Sequence, residues 1–186
     1  MNIMVVGVGG QGTLLTSRII GKTALKAGYD VKLSEVHGMA QRGGSVVTFV
    51  RYGEKVYEPV VEEGCVDVLI SFERLEAKRY AHFLKKDGVM IVNDCRIDPM
   101  TVVIGAKTYP ENIIEELKNV HKVYSIDGGS IAKEIGNSKV LNSVVLGLAA
   151  KHIGFNEEDW LEVLKNTVPQ KTIEINTIAF KKGYEN

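Results

Sequence analysis

Residues 1–12 read MNIMVVGVGGQG, and the order of those letters decides the fold class. Ile3 to Val6 is a continuous apolar run, which suits a strand buried on both faces. Gly7-Val8-Gly9-Gly10-Gln11-Gly12 then fits the pattern GxGxxG. After Gly12, the residues Leu14, Leu15, Arg18, Ile19, Lys22 and Leu25 mark an apolar stripe at helical spacing with cations off it. Gly28 stops that helix, and Tyr29 to Ser34 reads as a second strand. Strand, glycine loop, helix and strand make a Rossmann-like βαβ unit. Its right-handed crossover places both strand carboxyl ends on one edge of a sheet.

The same alternation continues along the chain. Residues 35–44 break both periodicities and read as a loop. Ser45 to Arg51 alternates weakly, and Tyr52-Gly53-Glu54 looks like a turn into Lys55–Tyr57, a β-hairpin after the second strand. Val66 to Ser71 is another buried strand, Glu73 to Leu84 a helix, Lys86-Asp87-Gly88 a turn and Val89 to Asn93 a strand. Thr101 to Ile104 reads as a short edge strand. Pro110 suits the start of a helix ending near Lys118, with a strand at His121–Ile126. From Gly128 onward the pattern is helical: Ser130–Ile135, Ser138–Ile153, Asn156–Asn166 and Lys171–Lys182, with Asn156 as a capping residue. The expectation is a three-layer α/β fold with a mostly parallel sheet. It forms a single domain over residues 1–186, with a helical carboxyl-terminal region from about residue 128.

Composition narrows the function. Of the 186 residues, 45% are hydrophobic and 25% charged, enough for a self-sufficient core. Twenty-three basic residues balance 23 acidic ones. That leaves no electrostatic footprint for nucleic acid or an anionic membrane. Cys65 and Cys95 are isolated, so a disulfide framework, a structural zinc site and a four-cysteine iron–sulfur cluster are excluded within the chain. No apolar run approaches the roughly 20 residues of a membrane span. With no basic leader at the amino terminus, a soluble, cytoplasmic protein is expected.

Two loops carry the chemistry. In the first, Gly7, Gly9, Gly10 and Gly12 permit a tight turn and let a phosphate approach backbone amides at a helix amino terminus. The partial positive charge there favours an anion by about 0.3–1 kcal/mol. A dinucleotide would also need an acid at the end of the second strand, for which Asp30 and Glu35 compete. A purely structural reading, glycines packing helix against strand, stands beside the binding one. The second loop, EVHGMAQRGG (35–44), combines His37, Gln41 and Arg42 with Gly38, Gly43 and Gly44. It leaves the sheet at the same edge, where open α/β sheets bind ligands. Arg42 can grip a carboxylate or phosphate through two parallel hydrogen bonds. His37 can move a proton, but an isolated loop histidine is more often only hydrogen-bonded. Of the remaining residues, Trp160 reads as core or interface. Tyr80, His82, His121, His152, Glu62-Glu63 and the adjacent acid pairs at 115–116 and 157–158 show no site spacing.

GVGGQG at the first turn, EVHGMAQRGGSV at the second, and Asn142 with Leu146-Gly147 in a helical tail are together similar to one known family. The chain resembles, over essentially its whole length, the gamma-type subunits of 2-oxoacid:ferredoxin oxidoreductases. HGMAQRGG points to the small (beta) subunits of the indolepyruvate branch. The resemblance implies an enzyme that oxidatively decarboxylates an aryl 2-oxoacid on thiamine diphosphate and passes electrons through iron–sulfur clusters to ferredoxin. It then hands the acyl group to coenzyme A, releasing an aryl-acetyl-CoA and carbon dioxide. Thiamine and clusters would belong to a large catalytic subunit, and this chain would bind no cofactor tightly. The residues agree with that division: neither the cluster cysteines nor a Gly-Asp-Gly thiamine signature is here. Expected binding residues are Gly7, Gly9, Gly10, Gln11, Gly12, Arg42, Gly43 and Gly44, with His37 and Arg42 as catalytic candidates and no metal ligand. Three readings remain beside it: a pyruvate-type gamma subunit, a stand-alone NAD(P)- or flavin-binding oxidoreductase, and an interaction module.

Overall fold

The computed structural model describes residues 1–37 and 43–186. The strands are β1 (Asn2–Val8), β2 (Asp30–His37), β3 (Ser45–Gly53), β4 (Val66–Ser71), β5 (Leu84–Asn93) and β6 (Lys122–Ile126). They form one sheet in the order β2-β3-β1-β4-β5-β6. β1, β4, β5 and β6 are mutually parallel, from Ile3 opposite Val68 to Asn93 opposite Ile126. β3 alone runs antiparallel, pairing β1 from Asn2↔Arg51 to Val8↔Ser45 and β2 from Asp30↔Gly53 to His37↔Val46. Because β1 and β2 both oppose β3, they point the same way, and their carboxyl ends share one edge as expected.

The helices are α1 (Thr13–Lys26), α2 (Arg74–Tyr80), α3 (Met100–Val103), α4 (Ile113–Lys118), α5 (Gly128–Glu134), α6 (Leu141–Ile153), α7 (Glu157–Lys165) and α8 (Ile173–Glu185). One face of the sheet, carrying Ile3, Val5, Val68 and Ile70, packs under α1 and the carboxyl-terminal helices. The other face, carrying Met4, Val6, Leu69 and Met90, packs under α2 and α4. This gives the expected three layers. Gly28 ends α1 as read from the sequence. Its φ is 88°, its amide donates to Leu25 O, and Tyr29 N donates to Ala24 O, the paired bonds of a Schellman motif.

Several local expectations are corrected. The antiparallel partner of β3 is β2, and Lys55–Tyr57 form no strand. Pairing with β2 gains eight opposed residues, whereas segment 54–60 is instead drawn to Arg51, whose Nη1 donates to the carbonyls of Glu58 and Val60. β2 continues through Glu35 to His37, so the second loop starts later than residue 35. Thr101–Ile104 is not an edge strand: Pro99 opens α3 there, and the place beside β5 is taken by β6. Residues 86–88 lie inside β5, with a register shift opposite Val66–Val68, and the preceding helix ends at Tyr80 in a 3-10 turn, Ala81–Phe83. α4 begins at Ile113, past Pro110. Asn156 precedes α7, yet its side chain makes no capping bond. Leu25 is exposed, because α1 packs against both the sheet and α6 and α7 and buries Thr16, Ser17, Ile19, Ile20, Thr23 and Ala24 instead. Trp160 is core.

The helical layer is locked by one crossing. A Cβ on Gly147 of α6 would lie 2.0 Å from Phe180 O, and one on Gly183 of α8 would lie 1.9 Å from Val144 O. Backbone meets backbone there, so neither neighbour can turn aside. Gly147→Ala and Gly183→Ala should each cost about 3 kcal/mol or more, at the upper end of overpacking. Gly53→Ala, with no atom within 4 Å of its Cβ, is the matched control. Urea unfolding of the three variants checks this, and equal midpoints would contradict the crossing.

Candidate functional site

The carboxyl edge of the sheet gathers the loops that leave β1, β2, β4, β5 and β6. β1 ends at Val8 directly opposite Ser45, where β3 begins. One residue further, Gly9 N donates to Gly44 O at 2.9 Å. That backbone bond joins the glycine loop to the end of the second loop, so the two motifs do meet. Gly10 (φ 99°), Gly12 (φ 86°) and Gly43 (φ 79°) all hold left-handed backbone. Among the described residues, no atom lies within 4 Å of a would-be Cβ on Gly10 or Gly43, and these two form the open part of the rim. The N-cap position of α1 is Gly12, which has no side chain to cap the first amides of the helix.

Gly7 and Gly12 do a different job. A Cβ on Gly7 would stand 2.9 Å from Gln11 Oε1 and 3.1 Å from Phe72 Cβ, and one on Gly12 2.9 Å from Asn142 Nδ2. These glycines make room for protein groups. Gln11 itself is engaged at both ends, its Oε1 accepting from Val8 N at 2.7 Å and its Nε2 donating to Phe72 O at 2.9 Å. Phe72 O also accepts Asn93 Nδ2 at 3.1 Å, and Asn93 Oδ1 accepts Gly128 N at 3.0 Å. The chain ends of β1, β4, β5 and β6 are thereby laced together.

This lacing lies at the sheet's switch point, since α1 leaves β1 toward one face and α2 leaves β4 toward the other. A dinucleotide enters an open α/β sheet at such a point; here Gln11 bridges it. Glu35 lies on β2, two strand spacings from β1, about 10 Å away, with β3 between. The open rim therefore faces β3, away from the usual dinucleotide crevice. Arg42 lies outside the described residues, as do Gly38 and Gln41, and of His37 only the backbone is described, at the end of β2.

Two buried carboxylates escaped the sequence reading. Glu73, 1% exposed, accepts from Glu76 N at 2.9 Å, from Ile97 N at 3.2 Å and from the Tyr109 hydroxyl at 2.5 Å. Burial and the neighbouring Glu73 push the Tyr109 phenol above its ordinary value. Glu76, 2% exposed, accepts from Ser45 Oγ and from Arg79 Nη1, each at 2.5 Å. The available signal was position: Glu73 follows the apolar run of β4 at a parallel carboxyl end, and Glu76 stands three residues on, the spacing of a reciprocal helix cap. Cys65 precedes β4 at the amino edge, whereas Cys95 follows β5 at the carboxyl edge, so the two thiols cannot share a metal centre. Among the described residues, no three His, Cys, Asp or Glu side chains group as metal ligands, and no helix is long and apolar enough to cross a membrane.

Comparison with known proteins agrees with this architecture. The family model for pyruvate ferredoxin/flavodoxin oxidoreductase matches residues 2–186. The chain belongs to this family. It is 43% identical to the indolepyruvate oxidoreductase subunit IorB of Thermococcus kodakarensis, covering 98% of this chain and 93% of that protein. It is 29% identical to the pyruvate/ketoisovalerate oxidoreductases common subunit gamma of Pyrococcus furiosus, covering 96% and 92%. The crystal structure of pyruvate oxidoreductase subunit PORC from Thermotoga maritima shares the fold, with TM-score 0.75 at 23% identity over 100% of this chain and 96% of that one. The 2-oxoglutarate:ferredoxin oxidoreductase of Magnetococcus marinus shares it at TM-score 0.77 and 22% identity, but there the chain spans 30% of a longer polypeptide.

The lacing predicts a graded response. Gln11→Ala leaves Val8 N without its acceptor and should cost about 1–3 kcal/mol. Gly10→Ala meets no atom and should cost only the left-handed backbone penalty, about 1–2 kcal/mol. Adding Asn93→Ala to Gln11→Ala should cost less or more than the separate losses combined, because both act on Phe72 O. Denaturant unfolding of the double-mutant cycle checks this; strict additivity would contradict it.

Proposed function

We propose that this chain is the small subunit of an indolepyruvate-type, aryl 2-oxoacid:ferredoxin oxidoreductase and supplies the coenzyme A side of its active site. The observation that carries the reading is the Gly9–Gly44 backbone bond, which brings both family motifs to one anion-friendly rim. The identity to the IorB subunit, 43% against 29% for the pyruvate/ketoisovalerate gamma subunit, favours the indolepyruvate branch over the pyruvate one. The bridged switch point and the displaced strand of Glu35 argue against a stand-alone NAD(P) or flavin enzyme.

The residues described do not fit the redox groups of the family. An iron–sulfur cluster takes four thiolates, and the two cysteines stand at opposite sheet edges. Residues 86–88 are strand, so Lys86-Asp87-Gly88 offers no diphosphate loop. In our reading those groups, and the decarboxylation, belong to a large catalytic subunit, with ferredoxin reached through the complex. This chain binds and orients. The amides at Gly10, Gly12 and the start of α1 meet a phosphate of coenzyme A, and Arg42 adds a bidentate grip. The reaction consumes an aryl 2-oxoacid, coenzyme A and oxidised ferredoxin. It yields an aryl-acetyl-CoA, carbon dioxide, a proton and reduced ferredoxin, a pair of electrons passing for each oxoacid cleaved.

The test is reconstitution with the large subunit and an assay of indolepyruvate- and coenzyme A-dependent ferredoxin reduction. Omitting this chain should abolish turnover, and Arg42→Ala should raise the KM for coenzyme A about ten-fold, the value of one charged hydrogen bond. Full activity of the large subunit alone would overturn the proposal.

A further inference from the structure

We propose that Glu76 is a positioning residue for the coenzyme A rim, holding the Gly43-Gly44-Ser45 root through the Ser45 hydroxyl; this rests on the function proposed above. The carboxylate is buried on α2, on the face of the sheet opposite α1, and reaches the first residue of β3. Ser45 has a single hydroxyl proton, and it is donated to Glu76 Oε2 at 2.5 Å. The contact between Ser45 Oγ and the Tyr80 hydroxyl, at 3.0 Å, must then run the other way, with Tyr80 as donor. The second carboxylate oxygen of Glu76 is held by Arg79 Nη1, one turn further along α2. Two side chains of one short helix, Glu76 and Tyr80, thus meet one hydroxyl, and a third, Arg79, holds Glu76.

The position of that hydroxyl gives the cluster its consequence. Ser45 stands opposite Val8, and the residue before it, Gly44, receives the Gly9 amide bond that ties the two loops. Gly43 and Gly44 carry no side chain that could fix them, and Gly43 holds left-handed backbone with no described atom within 4 Å of a would-be Cβ. Among the described residues, their anchors are Gly9, through Gly44 O, and Ser45. A carboxylate buried at 2% exposure is costly to keep without partners, and here all its named partners serve this root and α2. Among the described residues, the side-chain carboxylate of Glu76 is bonded to Ser45 and Arg79, so Glu76 acts on the root through Ser45.

The experiment uses the complex reconstituted with the large subunit and compares Glu76→Ala, Glu76→Gln and Ser45→Ala. Glu76→Ala should raise the KM for coenzyme A about ten-fold, as expected for losing a charge-assisted bond, with kcat at saturating coenzyme A held within about two-fold. Glu76→Gln, which can still pair with Ser45, should restore most of the affinity. Ser45→Ala should match Glu76→Ala, and the double variant should be no worse than either. If omitting the chain abolishes turnover but Glu76→Ala leaves the KM unchanged, the positioning role falls and the subunit reading survives. A lower melting temperature without a KM change also overturns the role, as does a fall in kcat alone. If omitting the chain changes nothing, both fall together.

Discussion

The carbonyl of Phe72 accepts two side-chain amides, Gln11 from the glycine loop and Asn93 from the end of β5, and the arrangement of the carboxyl edge depends on that convergence. Four parallel strand ends must turn within a small space, each exposing polar backbone that burial would leave unsatisfied. Gln11 and Asn93 resolve this: their side-chain nitrogens donate to Phe72 O, and their side-chain oxygens accept from Val8 N and Gly128 N. The result bridges the β1–β4 crevice with the Gln11 side chain. It also leaves the β1–β3 side as the open rim.

α2 is the second constraint, and it works from beneath. Its amino end holds Glu73, which gathers Ile97 N and the Tyr109 hydroxyl and so orders the long connection after β5. Its next turn holds Glu76, which gathers Ser45. One seven-residue helix therefore governs segments on both sides of β1. A buried carboxylate left without donors would be strongly destabilising, so both acids tie α2 to the segments that supply their partners. The lone antiparallel strand belongs to the same design: β3 brings Gly44 to Gly9 and displaces β2 outward.

Much of this was legible in the sequence because its causes are local. A continuous apolar run, a glycine loop, a helical stripe and Gly28 announce β1, α1 and its Schellman stop with no knowledge of the rest. The order of strands was not legible, since insertion of β3 beside β1 is decided by pairing between distant residues. Tyr52-Gly53 resembles a hairpin turn, yet the eight-residue match with β2 wins. Val102-Val103-Ile104 has strand propensity, but Pro99 starts a helical turn and β6 already occupies the edge. Glu73 and Glu76 carry no mark in the sequence that sets them apart from other helix acids, and only the fold reveals that both are buried. Gln11, expected to bind, has both ends of its side chain engaged as a brace, and the glycines divide between those that admit protein groups and those with no described neighbour.

The central claim is that this chain completes an anion-binding rim only as part of a larger enzyme. Calorimetric titration of coenzyme A tests it most directly, run in parallel on the large subunit alone and on the two chains assembled. The account predicts saturable binding to the assembly and little or none to the large subunit by itself. Equal affinity in both titrations would contradict it.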